Sequence, residues 1–230
     1  QQQASRFNYA KLSYELGYQD IALREMRSYL KDYPAATDAD EAKEILLSLL
    51  ANTNNFTDAM EMYKQFGQPT SAMQKLLPRI QFGLAIDLLN DQRLDEASVL
   101  LQSILKNPQG GGTLPYAHFW NAEIAYRQNR YDEAIRGYQS FLDARVQPVG
   151  EANAQTAQYN SGYCWFQKGE YKNALAQFEA VAKSVNSNSS SLMQDAYLRE
   201  ADCYYMLREY GKANTIYTKV ITLALPASDH

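Results

Sequence analysis

The sequence lacks the features of a membrane-spanning, disulfide-rich or metal-binding protein. No run approaches the roughly 20 apolar residues that a transmembrane helix needs. The only two cysteines are Cys164 and Cys203, which cannot form a disulfide framework. The only two histidines, His118 and His230, have no spacing to these cysteines that is typical of metal ligands. We therefore expect no integral membrane segment, no structural disulfides and no metal.

Clustered positive charge is also missing. The chain has 22 Lys and Arg against 26 Asp and Glu, giving a formal net charge of −4 and a pI of about 5.3. Nucleic-acid binding normally requires a concentrated basic surface, because phosphate contacts supply most of the affinity. We expect no nucleic-acid partner.

No catalytic motif is present either. The glycine run at 110–112 lacks the preceding strand and the following Gly-Lys-Ser/Thr of a phosphate-binding loop. The sequence shows no nucleophile–base pair, metal cluster or nucleotide loop. We therefore expect a protein that is not an enzyme and has no cofactor.

Both ends lack expected signals. The chain begins QQQASRFNYAKLSYELG, without an initiator Met or a charged-then-apolar leader. It ends LALPASDH, without the polar helix that usually caps a repeat array. These two features predict a piece of a longer repeat protein.

What the sequence does contain is an internal repeat. A small alanine, here called the anchor, recurs six times at intervals of 37, 38, 37, 40 and 39 residues: Ala22, Ala59, Ala97, Ala134, Ala174 and Ala213. The residue twelve positions before each anchor is small in five cases of six: Ala10, Leu47, Ala85, Ala122, Gly162 and Ala201. Positions four and seven after the anchor are apolar or aromatic, which marks one face of a helix. The two small columns mark where two helices approach closely, so each unit is predicted to be a helical hairpin in an all-α chain.

Several segments resemble a known family. RYDEAIRGYQSFL, EYKNALAQFEAV and EYGKANTIYTKV resemble the second helix of tetratricopeptide repeat (TPR) units, and AEIAYRQN, SGYCWFQKG and EADCYYMLR resemble the ends of their first helices. The resemblance covers essentially the whole chain and implies a right-handed α-solenoid of about six hairpins. We predict one array over residues 1–230, with units at about 3–36, 37–70, 76–110, 115–150, 153–187 and 192–225.

The resemblance also implies where a partner binds. Ligands of this family contact the concave wall formed by the first helices, on the columns 15, 11, 8 and 7 positions before each anchor, here called the inner columns. In the last three units these columns hold nine candidate partner-binding residues: Phe119, Glu123, Tyr126, Arg127, Tyr159, Tyr163, Phe166, Asp202 and Tyr205. Rigid aromatics with a few charges suit a protein or peptide partner. The alternative is that these aromatics pack against neighbouring repeats.

The segment FWNAEIAYRQNRYDEAI and the long repeat spacing are similar to bacterial cell-envelope TPR proteins of the BamD-like and YbgF-like kinds. This similarity implies a scaffold in the periplasm or at the outer membrane. Two other functions remain open: a SusD-like glycan-binding protein, and an architectural segment that self-associates into a homo-oligomer.

Overall fold

A computed structural model describes residues 2–107, 111–183, 185–186 and 188–222. This part of the chain contains twelve α-helices and no β-strand, apart from a 3-10 turn at Gly111–Thr113 and an isolated bridge between Val149 and Ala152. The predicted end of the array, at residues 223–225, and the first residue of the glycine run at 110–112 lie outside the described residues. None of the helices in the described ranges is long and apolar enough to cross a membrane.

The chain divides into two compact units, residues 1–113 and 114–230. The first unit contains six helices: α1 (Gln2–Glu15), α2 (Gln19–Asp32), α3 (Ala39–Asn52), α4 (Phe56–Lys64), α5 (Ser71–Asn90) and α6 (Leu94–Leu105). The second unit contains six more: α7 (Leu114–Arg127), α8 (Tyr131–Ala144), α9 (Ala154–Gln167), α10 (Tyr171–Ala182), α11 (Ser191–Met206) and α12 (Tyr210–Thr222). Consecutive helices pack as six hairpins, from α1–α2 to α11–α12. The predicted all-α fold of helical hairpins is confirmed.

The anchor alanines lie inside these hairpins. All six are between 0% and 2% exposed. The small residues twelve positions earlier are buried as well, and a Cβ added to Gly162 would come within 2.8 Å of the Phe178 ring. Small side chains are therefore needed here because the two helices of each hairpin approach closely. Leu47 is the exception, and it is fully buried in the hairpin with the shortest helix, α4.

All six hairpin turns share one backbone conformation that the sequence did not reveal. The residue five positions before each anchor has a positive φ: Gly17 (81°), Asn54 (59°), Gln92 (60°), Asn129 (59°), Gly169 (76°) and Arg208 (64°). The next residue donates its N–H to the carbonyl five positions earlier, as from Tyr18 to Ser13 (2.8 Å) and from Glu209 to Tyr204 (2.9 Å). This bond is characteristic of the Schellman motif that ends a helix. Four of the six residues are Gly or Asn, which tolerate a positive φ, whereas at Gln92 and Arg208 the turn is imposed by its hydrogen bonds and by hairpin packing.

Three first helices start at side-chain caps. Thr70, Asn153 and Ser190 accept hydrogen bonds from the backbone N–H three residues later, at α5, α9 and α11 respectively. Such caps satisfy N–H groups that a helix leaves unpaired at its start. The cap at Thr70 explains why α5 begins at Ser71 rather than at about residue 76.

Replacement of Ala174 by Asp tests the hairpin register. Ala174 is fully buried, so the carboxylate would lose its hydration in a contact too close to hold it. We expect a loss of several kcal/mol in the free energy of unfolding, measured by urea denaturation. Ala176→Asp, at an exposed position on the same helix, is the control and should change stability little. Equal stability of the two variants would contradict the register.

Candidate functional site

The nine candidate residues lie on the first helices of the second unit, α7, α9 and α11. Their exposure differs widely, from 1% for Phe119 to 56% for Tyr205. Arg127 is also exposed, and the other six are half-buried. The inner columns of the second unit therefore contain one side chain that is buried in the core, six that are half-buried and two that face solvent.

Phe119 is part of the hairpin core. Its ring lies 5.2 Å from that of Phe141 and 5.7 Å from that of Tyr138, measured between centroids, and both partners are on α8. These rings enclose it, so it cannot contact a partner. The prediction of Phe119 as a partner-binding residue is therefore corrected: helical spacing identified its column, but the large side chains on α8 cover it.

The candidate aromatics eight positions before the anchor each pack on an aromatic of their own hairpin turn. The pairs are Tyr126–Tyr131 (6.2 Å), Phe166–Tyr171 (5.2 Å) and Tyr205–Tyr210 (5.4 Å). Such tilted or edge-to-face pairs stabilise by about 0.5–1.5 kcal/mol beyond their burial. The pairing holds each ring in a fixed orientation while part of it stays accessible.

Tyr159 and Tyr163 converge on a buried carboxylate of the next hairpin. Their hydroxyls donate to Asp195 Oδ2 at 2.6 and 2.7 Å, and Asp195 is only 3% exposed. Arg199 donates from Nε to the Tyr163 hydroxyl (2.7 Å) and from Nη2 to Asp195 Oδ1 (3.2 Å). Burial, together with the hydrogen bond to Asp195, raises the pKa of Tyr159, so its phenol stays protonated. This network joins α9 to α11.

Glu123 and Asp202 each accept a hydrogen bond from a tyrosine fifteen residues later in the same hairpin. Tyr138 donates to Glu123 Oε2 at 2.8 Å, and Tyr217 donates to Asp202 Oδ1 at 2.6 Å. Burial, followed by the nearby Glu123 charge, raises the pKa of Tyr138. In the fourth and sixth hairpins, these phenol–carboxylate pairs hold the second helix to the first.

The two arginines of this wall are paired with its own carboxylates. Arg127 Nε donates to Glu123 Oε1 at 3.0 Å, and Arg199 Nη1 donates to Asp202 Oδ2 at 2.8 Å. Both cations are therefore already partly compensated. The most exposed apolar surface here is Tyr205, with Met206 at 45% and Tyr210 at 55% exposure beside it in sequence.

Sequence reasoning missed Asp195 and Arg199, which complete the polar network. Asp195 lies eighteen positions before its anchor, outside the inner columns. A signal did exist for the paired carboxylates: Glu123 with Tyr138, and Asp202 with Tyr217, recur at a fixed separation of fifteen residues.

A second, smaller polar cluster lies between α10, α11 and α12. Burial and the neighbouring charge of Glu179 raise the pKa of Glu200 to about 7, against a lowering effect of Lys219. Tyr204 donates its hydroxyl to Glu179 at 2.8 Å. The Glu200 carboxyl therefore titrates near neutral pH.

The first unit contains an open cleft of about 370 Å³. Ile45, Met73 and Leu76 contribute apolar surface, and Glu44 and Lys75 contribute one charge of each sign. The cleft lies at the low end of the size range of small-ligand sites.

The environment of the two thiols makes them poor nucleophiles. Cys164 and Cys203 are both fully buried, and burial raises the pKa of each to about 12. A thiol with so high a pKa is a poor nucleophile. Among the described residues no group of three or more His, Cys, Asp or Glu is positioned to hold a metal ion.

Comparison with protein families identifies this architecture. Family models described as tetratricopeptide repeat match residues 82–145, 121–189 and 195–224, which together span more than half of the chain. The first two hairpins, where the aromatic columns are least regular, lie entirely outside these matches. No curated protein matches the sequence.

Solved structures with this fold are distant in sequence. YrrB, described as a TPR protein with an unusual peptide-binding site, is 16% identical over 84% of this chain and 90% of its own, with a TM-score of 0.58. The apo form of RapI is 16% identical over 97% of this chain and 66% of its own, with a TM-score of 0.56. BtubC (BKLC) from P. vanneervenii is 14% identical over 96% of this chain and 95% of its own, with a TM-score of 0.53. At such identities the likeness concerns the fold alone.

Tyr163→Phe tests the energetic weight of the network around Asp195. The change removes one donor to Asp195 and one acceptor from Arg199 while keeping the ring. We expect a loss of roughly 1–3 kcal/mol in the free energy of unfolding. Tyr205→Phe is the matched control, because no hydrogen bond of the Tyr205 hydroxyl is present in the described part of the chain. Equal effects of the two changes would show that the network adds no stability.

Glu200→Gln tests the raised pKa of Glu200. A folded-state pKa of about 7, above the ordinary 4.5, means that this group favours folding at low pH and that the benefit is lost as pH rises through 7. We expect the variant to melt at a higher temperature than the parent at pH 8, with the difference shrinking as pH falls toward 4.5. Glu151→Gln, at an exposed loop position, is the control. A pH-independent difference would contradict the assignment.

Proposed function

Because the chain belongs to the tetratricopeptide repeat family, we propose that it is a non-enzymatic scaffold whose second unit binds a segment of another protein along the inner columns. Repeats of this kind present long surfaces rather than enclosed pockets, and their ligands are mostly peptides or partner proteins. In this chain the surface would be formed by α7, α9 and α11.

The exposed aromatic Tyr205 is the observation that carries this proposal. Tyr205 is 56% exposed, and its ring is held by Tyr210 at 5.4 Å between centroids. Tyr126 and Phe166 occupy the same column and are held by equivalent pairs. Rings that are already ordered lose little entropy on binding, which is why such anchors dominate interface energies.

The polar network favours an apolar or aromatic partner segment. Glu123, Asp195 and Asp202 receive hydrogen bonds from tyrosines, and Arg127 and Arg199 pair with these same carboxylates. A partner charge would have to compete with bonds that are already made. The affinity would therefore come mainly from contact with the aromatic column, and charge would contribute orientation.

One solved structure of similar fold supports a peptide as the partner. YrrB is described as having an unusual peptide-binding site. That property belongs to YrrB, and we extend only its ligand class to this chain. The proposal includes a role at the bacterial cell envelope, supported by the resemblance of residues 119–135 to envelope TPR proteins. Detection of the native protein only in the cytosolic fraction would refute the envelope role.

Tyr126→Ala and Tyr205→Ala test the aromatic column. Each removes a ring that would contact the partner segment, so we expect each to weaken binding by roughly 1–3 kcal/mol. Binding is measured by fluorescence polarisation against peptides selected from a displayed library, with circular dichroism to verify helicity. Val149→Ala is the control, because Val149 is 60% exposed but lies in a loop outside the inner columns.

Unchanged affinity in both tyrosine variants would refute binding along the inner columns. Selection of a glycan on a microarray, with no peptide selected, would favour the glycan-binding alternative instead.

A further inference from the structure

The second unit has a groove that lies away from the inner columns. It has a volume of about 360 Å³ and is lined by side chains of α8, α9 and α10. Ser161 and Trp165 line it from α9, and we call it the Trp165 groove. Each of these two residues is two positions from Tyr163 of the inner columns, which corresponds to about 200° around a helix. The groove therefore opens on nearly the opposite face of α9 from the inner columns.

The floor of the Trp165 groove departs from the packing of the first unit. At the positions of Ser161 and Trp165, the second and third hairpins carry leucine pairs: Leu46 with Leu50, and Leu84 with Leu88. A serine is smaller than a leucine, so Ser161 leaves space at the floor. Ser161 is only 5% exposed, and its hydroxyl forms no hydrogen bond in the part of the chain that the structure describes. Because a buried hydroxyl normally has a partner, this one is available to a ligand in the groove.

Trp165 supplies apolar surface that is already fixed in place. Its half-buried ring packs against the apolar cluster that contains Phe178. The Lys168 ammonium lies 4.9 Å from the centroid of the ring, and Lys168 is itself paired with Asp132 on α8. A ring that is ordered before a ligand arrives loses little entropy on binding.

The charge of the groove is positive. Among the described residues that line it, Arg136 alone is charged, and its guanidinium forms no ion pair within the described ranges. The pKa of Asp132 is lowered mainly by its hydrogen bond with Lys168, and Arg136 adds a smaller effect. Arg136 is therefore available to a carboxylate, and a planar guanidinium can bind both carboxylate oxygens at once.

Amide side chains line the walls. Asn173 and Gln177 of α10 form no hydrogen bond through their amides among the described residues, so each offers a donor and an acceptor. Gln139 of α8 donates its amide to Asp143 at 2.8 Å, which leaves its amide oxygen for another donor. A peptide backbone presents one N–H and one C=O per residue and can satisfy such groups. An extended peptide therefore suits this groove better than a compact apolar ligand.

We propose that the Trp165 groove binds an extended acidic segment of a partner protein, with a carboxylate on Arg136 and the peptide backbone on Asn173 and Gln177. The Ser161 hydroxyl bonds to the same segment from the floor, and the Trp165 ring contacts its aliphatic parts. Since the chain has a net charge of −4, an acidic peptide has no general attraction to it, and binding depends on this local site. The site is separate from the binding proposed along the inner columns.

Arg136→Gln tests the charge of the groove. The probe is a labelled hexaglutamate peptide blocked at both ends, and its binding is measured by fluorescence polarisation at low and high salt. We expect saturable binding to the parent chain that weakens as salt is raised, because salt screens exposed ion pairs. Arg136→Gln should weaken binding about tenfold or more. Arg145→Gln removes an exposed arginine outside the groove, so this matched control should bind like the parent.

Ser161→Leu tests the floor of the groove. Leucine occupies this position in the second and third hairpins, so the change is compatible with a folded hairpin and fills the space. We expect loss of hexaglutamate binding, with a melting temperature equal to or above that of the parent.

The emission of Trp165 locates the bound probe. The chain has two tryptophans, so a Trp120→Phe background leaves Trp165 alone. Its emission should change with hexaglutamate in proportion to the bound fraction measured by polarisation.

Several outcomes would overturn the proposal. Hexaglutamate could fail to bind saturably, or hexaglutamine could bind equally well. Arg136→Gln could weaken binding no more than Arg145→Gln, or folded Ser161→Leu could bind like the parent. An equal change of Trp165 emission with inorganic phosphate or maltohexaose would assign the groove to another class of ligand. Peptide binding to the inner columns is measured separately, so each of these failures leaves the proposed function standing.

Discussion

The buried small side chains at the anchor and at the position twelve residues earlier allow the two helices of each hairpin to approach closely. Where both side chains are small, as at Ala174 and Gly162, there is room for the large residue four positions after the anchor, Phe178, to fill the remaining space. The Schellman turn then reverses the chain at the same point in every hairpin. These features together determine which face of each first helix is left for other contacts.

On that face of the second unit, internal polar bonds engage several of the residues predicted to bind a partner. Tyr159 and Tyr163 share the buried carboxylate of Asp195, and Glu123 and Asp202 each hold a tyrosine of their own hairpin. A buried carboxylate is costly unless it is fully hydrogen-bonded, and these phenols supply the donors. The residues that remain accessible are the aromatics that pack on another aromatic at the hairpin turn. Ion pairs are therefore expected to contribute little to the proposed binding.

The sequence was sufficient to predict the hairpins because recurring small residues carry a direct steric meaning. It was less informative about the candidate site. Phe119 and Tyr159 occupy one column, yet Phe119 is enclosed by Phe141 and Tyr138, while Tyr159 reaches a carboxylate 36 residues away. Periodicity identifies the face of a helix but not the size and direction of the side chains that meet it from neighbouring helices. Asp195 was missed for the same reason, since its importance depends on two phenols contributed by a different hairpin.

The bonds from Tyr159 and Tyr163 to Asp195 cross the boundary between the fifth and sixth hairpins. In a repeat protein each unit contacts only its neighbours, so its stability is approximately the sum of the units and of the contacts between neighbouring units. Deletion of the sixth hairpin would remove Asp195, the hydrogen-bond acceptor of Tyr159 and Tyr163. Deletion of the fifth hairpin would leave the carboxylate of Asp195 with fewer hydrogen-bond donors. The fifth and sixth hairpins therefore depend on each other, because removal of either one would leave buried polar groups of the other without their partners.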